Sequence, residues 1–293
     1  MSYKDPSTWK TSVSVPSWLL RPVGTRPPLE DYFKQLWRRR HFILAESKSK
    51  VAGANSKAIM GNLWLVGNPL LQALMYFVIF GLIMNASRGV DNFLAYLIVG
   101  LFHFFLTMRA VSGGVKVIGT GRSMIRAFAF PRASLPISLV LQQLYQFGLT
   151  WIVMIVFISV VPPAENITWR VVLIVPALVL QVMFVAGCVF FVARIGHKIP
   201  DISNLLSVVT RFWLYGSGVI FPIERFITDP FWQSIVQLNP MWIYLDMQRS
   251  ALVYGTSIPA WEWIMGAGWA LGFLILGFVF FYYGEEEYGR DRN

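Results

Sequence analysis

VVLIVPALVLQVMFVAGCVFFVA, residues 171–193, carries no charged side chain, and its one strongly polar side chain is Gln181. A helix of this length, at 1.5 Å per residue, is long enough to cross the ~30 Å hydrocarbon core of a bilayer. Five further stretches read the same way: 63–84, 93–111, 135–161, 202–222 and 261–283. The expectation is an all-α polytopic membrane protein with six transmembrane helices, forming a transmembrane domain over 63–283. Composition agrees: the 293 residues are 56% hydrophobic and only 14% charged, whereas a soluble domain averages about a quarter charged.

The segments around these spans have other characters. Residues 1–28 hold five prolines and no helical period, and read as a Pro-rich cytoplasmic tail. In 29–58, Leu29, Tyr32, Phe33, Leu36, Trp37, Ile43 and Leu44 recur at spacings of three and four among Lys34, Arg38, Arg39 and His41. That pattern predicts an N-terminal amphipathic interface helix. Between spans five and six, 223–260 is broken by Pro230, Pro240 and Pro259. Its apolar pieces are too short or too polar to span, and are expected as re-entrant external helices. Such backbone is tolerated at membrane depth only when buried in protein or facing water. Residues 284–293 form a cytoplasmic C-terminal tail.

The net charge of +10 is read as a membrane signal rather than a nucleic-acid one, because Lys and Arg collect on the cytoplasmic side. With the N-terminus inside, nineteen Lys and Arg fall inside, and only Arg88, Arg170, Arg225 and Arg249 fall outside. Both termini are therefore expected in the cytoplasm. The single cysteine, Cys188, excludes an intramolecular disulfide framework.

Several chemistries are missing. No G-x-x-x-x-G-K-[ST] is present, so no phosphate-cradling loop is available and the chain is not expected to hydrolyse ATP itself. Three scattered histidines and one cysteine give no metal-ligand spacing. The acidic residues are scattered except for Glu285–Glu287, which read as a solvated face. No carboxylate sits at mid-span, which weighs against a proton-coupled carrier.

Among the remaining charges, Arg211 falls at the middle of span five and Arg109 near the inner end of span two. Arg211 must find backbone carbonyls, a water-filled cavity or an anionic ligand, unless the span begins later and places it near the cytosol. Arg109 reads as a side chain that snorkels to inner headgroups. Aromatics, 16% of the chain, suit either lipid-facing belts or stacking platforms for sugar rings. The stretch GTGRSMIRAFAFPRASLP, 119–136, is basic and punctuated by Gly119, Gly121, Pro131 and Pro136. It can form a short rigid helix at the membrane face, which is what a partner ATPase needs to push on, or an ordinary connector held to headgroups.

From this loop outward, the chain resembles the ABC-2 family of permeases, in particular exporters of lipid-linked polysaccharides such as O-antigen and teichoic acid. The resemblance rests on NPLLQ (68–72), the loop 121–136, IPDISNLLSVVTRFWLYGSGVIFP (199–222) and LNPMWIYLDMQR (238–249), in that order. The chain is also similar to the permease of lipid-linked galactan exporters in arabinogalactan-containing actinobacterial walls. Residues 1–28 lie outside the family core.

The resemblance implies a homodimer in the bacterial inner membrane, with two copies of a separate cytoplasmic ATPase that carries ATP and Mg; the chain itself would hold no cofactor. Gly121, Arg122, Met124, Ile125, Arg126, Phe128, Pro131 and Arg132 would form the coupling helix. Arg38, Arg39, Arg40 and Arg109 would attract the lipid pyrophosphate. Tyr76, Phe80, Phe104, Phe105, Tyr145, Arg211, Trp213 and Tyr215 would line the channel, with Phe221, Glu224, Arg225 and Trp242 at an outer gate. An ABC-2 permease for drugs or lipids, and a membrane-embedded glycosyl or lipid transferase, are the alternatives.

Overall fold

A computed structural model describes residues 26–54, 63–83, 90, 92–128, 130–160, 168–223, 227 and 229–289. The described residues are helical throughout their regular structure: α1 (Leu29–Arg38), α2 (Arg40–Ala54), α3 (Leu63–Tyr76, continued by a π-helical stretch Phe77–Ile83), α4 (Phe93–Thr120) and α5 (Arg122–Ala127). They continue as α6 (Ser134–Val160), α7 (Ile174–Lys198, entered by a 3₁₀ turn Trp169–Leu173), α8 (Ile202–Gly216), α9 (Pro230–Gln237), α10 (Pro240–Leu252) and α11 (Ala260–Tyr282).

Four helices among the described residues are long and apolar enough to cross a membrane, not six: α4, α6, α7 with its leading turn, and α11. The chain is a multi-pass membrane protein. Two expected spans fall short for physical reasons. The apolar part of α3 with its π stretch runs only from Gly67 to Ile83, about 25 Å at the α-helical rise, and Pro69 lies inside the helix. α8 ends at Gly216 after 15 residues, about 22 Å. Beyond it the chain turns at Gly218, whose φ of +63° favours glycine.

The expected interface and re-entrant helices are not identified either. Residues 29–54 form two helices broken at Arg39, whose φ of −95° and ψ of 11° leave the helical region. α1 buries Tyr32 and Leu36, and α2 packs along α6. α10 is buried on all sides against α7, α4 and α11, with only Pro240 and Asp246 not fully buried. It is a core helix rather than a re-entrant one, while α9 is exposed or half-buried along its length.

α4 is the axis of the bundle, buried over most of its length and packed on α6, α7, α8 and α10. Asn92 caps its start by accepting from Ala95 N–H at 3.0 Å. α7 and α11 make the closest pair. A Cβ on Gly187 would lie 2.3 Å from the Phe273 backbone carbon, and one on Gly277 would lie 2.3 Å from the Gly187 carbonyl oxygen. In lipid, where apolar burial between helices gains little, small residues that let backbones approach supply the packing.

The core also holds polar groups. Gln181 Nε2 donates to the His103 carbonyl at 2.9 Å and to Thr107 Oγ1 at 3.1 Å. Arg249, assigned from sequence to an outer loop, is 3% exposed. Its guanidinium lies 3.4 Å from the Tyr96 ring centroid and donates to the Val219 carbonyl at 2.9 Å. The Tyr96 hydroxyl donates to the Gly218 carbonyl at 2.7 Å. Together these two side chains satisfy carbonyls of the broken backbone after α8 and tie it to α4.

Candidate functional site

The residues that converge most tightly lie at the end of the bundle where residues 26–28 and 283–289 meet, here termed the lower end. α4 stops at Gly121, whose N–H bonds the Val117 carbonyl at 3.1 Å. A Cβ there would lie 2.5 Å from Leu135 Cδ1, so a larger residue would require the Leu135 side chain to move. α5 follows at once and ends where Phe128 turns extended (φ −136°, ψ 137°). Pro131 then blocks further helix.

Of the predicted coupling residues, Ile125 is buried and docks α5 on the bundle, Met124 is half-buried and Pro131 is buried. Arg122, Arg126 and Phe128 are exposed, Phe128 by 65%. α5 is thus a short helix with one anchoring face and one outward basic and aromatic face.

The loop is fastened at its far end. Arg132 N–H donates to Glu285 Oε1 at 2.9 Å, and its guanidinium approaches the same oxygen at 3.5 Å. The Tyr32 hydroxyl accepts from Ala133 N–H at 3.0 Å and donates to Glu285 Oε2 at 2.8 Å. α1, the 121–133 loop and the segment after α11 are therefore joined through one buried carboxylate. Burial raises the Glu285 carboxyl above its ordinary value, opposed by the Arg132 N–H, the Tyr32 hydroxyl and the Arg132 charge. The Tyr32 phenol is pushed up by burial and by Glu285.

The expected solvated face of Glu285–Glu287 is corrected by this arrangement: Glu285 is 2% exposed, whereas Glu286 is exposed and Glu287 is half-buried beside Lys198 at 3.2 Å. A run of three acids looks like surface, and the partners that reveal the buried one, Tyr32 and Arg132, lie 253 and 153 positions away.

The expected channel residues divide. Tyr76 stacks on Phe80, and Phe80 packs near Phe221. Tyr215 and Arg211 are exposed on α8, beside Phe212 at 75% exposure. Tyr76 has Tyr215 as a neighbour, so α3 and α8 come near one another at these two rings. Phe104 is instead buried, with its edge toward Trp213, and Trp213 donates from Nε1 to Asn239 at 3.1 Å. Phe105 borders a small crevice with Pro69, Arg109 and Gln143, away from α8. Tyr145 lies on α6 beneath Lys48, 5.9 Å from its ring centroid.

At the expected gate, Trp242 is buried and stacks on Trp261 with centroids 6.3 Å apart, and Phe221 is half-buried. Glu224 and Arg225 lie outside the described residues. The four cations expected to attract a pyrophosphate are at two places. Arg38, Arg39 and Arg40 are exposed at the junction of α1 and α2, with Arg40 bordering a groove at Ile137 and Leu141. Arg109 faces Gln143, Phe147 and Thr150, farther along α6. Among the described residues no group of three or more His, Cys, Asp or Glu could hold a metal ion.

Comparison with known proteins gives the family. Residues 54–253 match the model of the ABC-2 type transporter. The chain is 25% identical to the O-antigen export system permease protein RfbA of Myxococcus xanthus over 79% of this chain and 87% of that protein. It is 25% identical to the protein of the same name from Klebsiella pneumoniae, over 68% of this chain and 75% of that one. It is 21% identical to the polysialic acid transport protein KpsM of Escherichia coli, over 67% and 75%. The family match covers more than half of the sequence, so the chain belongs to the ABC-2 type transporter family.

Proposed function

We propose that this permease exports a polyprenyl-pyrophosphate-linked polysaccharide from the cytoplasm to the outer face of a bacterial inner membrane, with galactan as the specific glycan. The chain acts as a homodimer with both termini cytoplasmic, driven by two copies of a separate ATPase that binds ATP and Mg. The observation that carries this reading is α5: an outward face of Arg122, Arg126 and Phe128 on a helix anchored by Ile125 and fastened through Arg132 to Glu285. A pushing surface must be rigid where it is held and polar where it is touched, and α5 has both properties. The cargo class is supported by the relatives, named for O-antigen export and polysialic acid transport.

The conduit forms between two copies across the face of α3 and α8. Leu71 and Leu74 on α3 and Val208 and Phe212 on α8 are exposed, as are Tyr215 and Arg211, while Tyr76 is half-buried. A second copy would cover the apolar part and leave the aromatics and Arg211 toward the glycan. Stacking must stay weak at each ring, because a conduit has to release what it binds. Arg109, beside α3, receives the pyrophosphate first.

The test is ATP turnover by the permease and its ATPase, co-purified into lipid nanodiscs, with and without lipid-linked glycan. Turnover that responds to lipid-linked galactan, and less to other lipid-linked glycans, is expected. Turnover that responds instead to small amphiphilic drugs would replace this reading with the drug-exporting one, and activity of the isolated permease on a lipid-linked sugar would replace it with a transferase.

A further inference from the structure

The geometry points to a binding site for an anionic phospholipid in an apolar groove at the lower end of the bundle, separate from the cargo path. The groove has a volume of about 720 Å³ and runs between α1, α6 and α11, walled by Phe33, Trp37, Ile137, Leu141, Phe278 and Val279. Its one charged wall residue is Arg40. Neither α3 nor α8 contributes to it, so it does not join the face on which the glycan is placed.

Depth identifies the occupant. On α11 the groove reaches Leu274, eight residues before that helix ends at Tyr282, about 12 Å into the span. Its mouth is therefore at headgroup level and its floor in hydrocarbon. An extended peptide segment seated there would bring backbone N–H and C=O groups to membrane depth with no partners on these walls. An acyl chain brings none. Phe33 at 54% exposure and Trp37 at 69% leave large apolar surface on the α1 wall for such a chain to cover.

Charge identifies the headgroup. Arg40 is on the groove wall, and Arg38 and Arg39 precede it in the chain at the α1–α2 junction, all three exposed. Arg40 donates to the Trp37 carbonyl at 3.2 Å and lies 5.0 Å from the Trp37 ring centroid, which holds its guanidinium at the rim. A run of three exposed cations that ends at the wall of an apolar slot selects a lipid with a net negative headgroup over a zwitterionic one.

The experiment is native mass spectrometry of the full chain in detergent with phosphatidylglycerol or phosphatidylcholine of identical acyl chains, and with undecaprenyl phosphate as competitor. Phosphatidylglycerol is expected to be retained preferentially, with the preference falling about fivefold for each of Arg38, Arg39 and Arg40 changed to Gln. Ala186→Phe, which fills the groove from α7, is expected to abolish retention of both lipids. Its folding is checked by protection of the buried Cys188 from thiol labelling; should Ala186→Phe not fold, the surface Gln variants decide alone. Equal retention of the two lipids, an unaltered preference in the triple Gln variant, or retention by a folded Ala186→Phe would each overturn the assignment. Displacement of phosphatidylglycerol by equimolar undecaprenyl phosphate would overturn it too, because the groove would then belong to the cargo.

Discussion

The Tyr32 hydroxyl donates a 2.8 Å hydrogen bond to Glu285, and in doing so joins the first helix to the segment that follows the last one. The same oxygen accepts from Ala133 at the end of the 121–133 loop. Replacing Tyr32 with Phe keeps the ring, which packs edge-on to Tyr282 at 5.2 Å, and removes only the hydroxyl. It leaves a buried N–H and a carboxylate oxygen without this partner, at a cost of about 1–3 kcal/mol. The expected outcome is a lower midpoint of thermal unfolding. Cys188, buried in α7 and alone of its kind in the chain, reports it through thiol labelling during a heat ramp. An unchanged labelling midpoint would show that this junction contributes nothing to stability.

Glu285 gives that junction a pH dependence. Its carboxyl is held above its ordinary value of 4.5 by burial, so the folded chain binds this proton more tightly than the unfolded one. The contribution of the group is therefore greatest at low pH. It declines as pH rises from about the ordinary carboxylate value through the raised folded one, and levels off above that. Glu285→Gln keeps an oxygen to accept from Arg132 and cannot ionise. Unfolding midpoints measured against pH are expected to lose this declining component in the Gln variant. Superimposable pH profiles of the two proteins would remove Glu285 as its source.

The α7–α11 seam separates close approach from helix propensity. At Gly187 a Cβ meets the backbone of Phe273 at 2.3 Å, while at Gly272, on α11, nothing lies within 4 Å. Gly187→Ala must part the two helices and is expected to destabilise by about 1–3 kcal/mol, as overpacking does. Gly272→Ala meets no obstacle and is expected to stabilise by up to about 1 kcal/mol. Cys188 labelling reads both, and a shift of the same sign in the two variants would contradict the seam.

What was legible from sequence and what was not divides by physical cause. The four spans were legible because each is an uninterrupted apolar run of sufficient length, and the loop 121–132 because Gly121 and Pro131 bracket it. α3 and α8 were misjudged because hydropathy registers apolarity and not where a helix stops. The run 202–222 stays apolar past the point where Gly216, Ser217 and Gly218 turn the chain. Arg249 was misplaced because counting cations by loop treats every charge outside a span as exposed, and its partners Tyr96 and Val219 are distant in sequence. Tyr145 and Phe104 carry the same aromatic signal as Tyr76. Only packing separates the buried ring and the one under Lys48 from those on the α3–α8 face.

The proposed role of α5 makes the sharpest functional prediction. Arg122 and Arg126 are exposed, while Ile125 between them is buried. Changing both arginines to Glu alters the charge of the outward face by four units and leaves the anchoring face untouched. The fold is expected to survive, with the Cys188 labelling midpoint within about 0.5 kcal/mol of the parent, as for surface substitutions in general. Glycan-stimulated ATP turnover in nanodiscs is expected to fall to its unstimulated rate, because the ATPase pair can still close on nucleotide but no longer grips the helix it moves. Ile125→Ala acts on the other face: it loosens α5 from the bundle, should lower the unfolding midpoint by about 2–5 kcal/mol if the site cannot collapse, and should weaken stimulation without reversing any charge. The two variants thus separate contact from anchorage. Full stimulation in the double Glu variant would mean that the ATPase does not bear on α5, whatever the cargo.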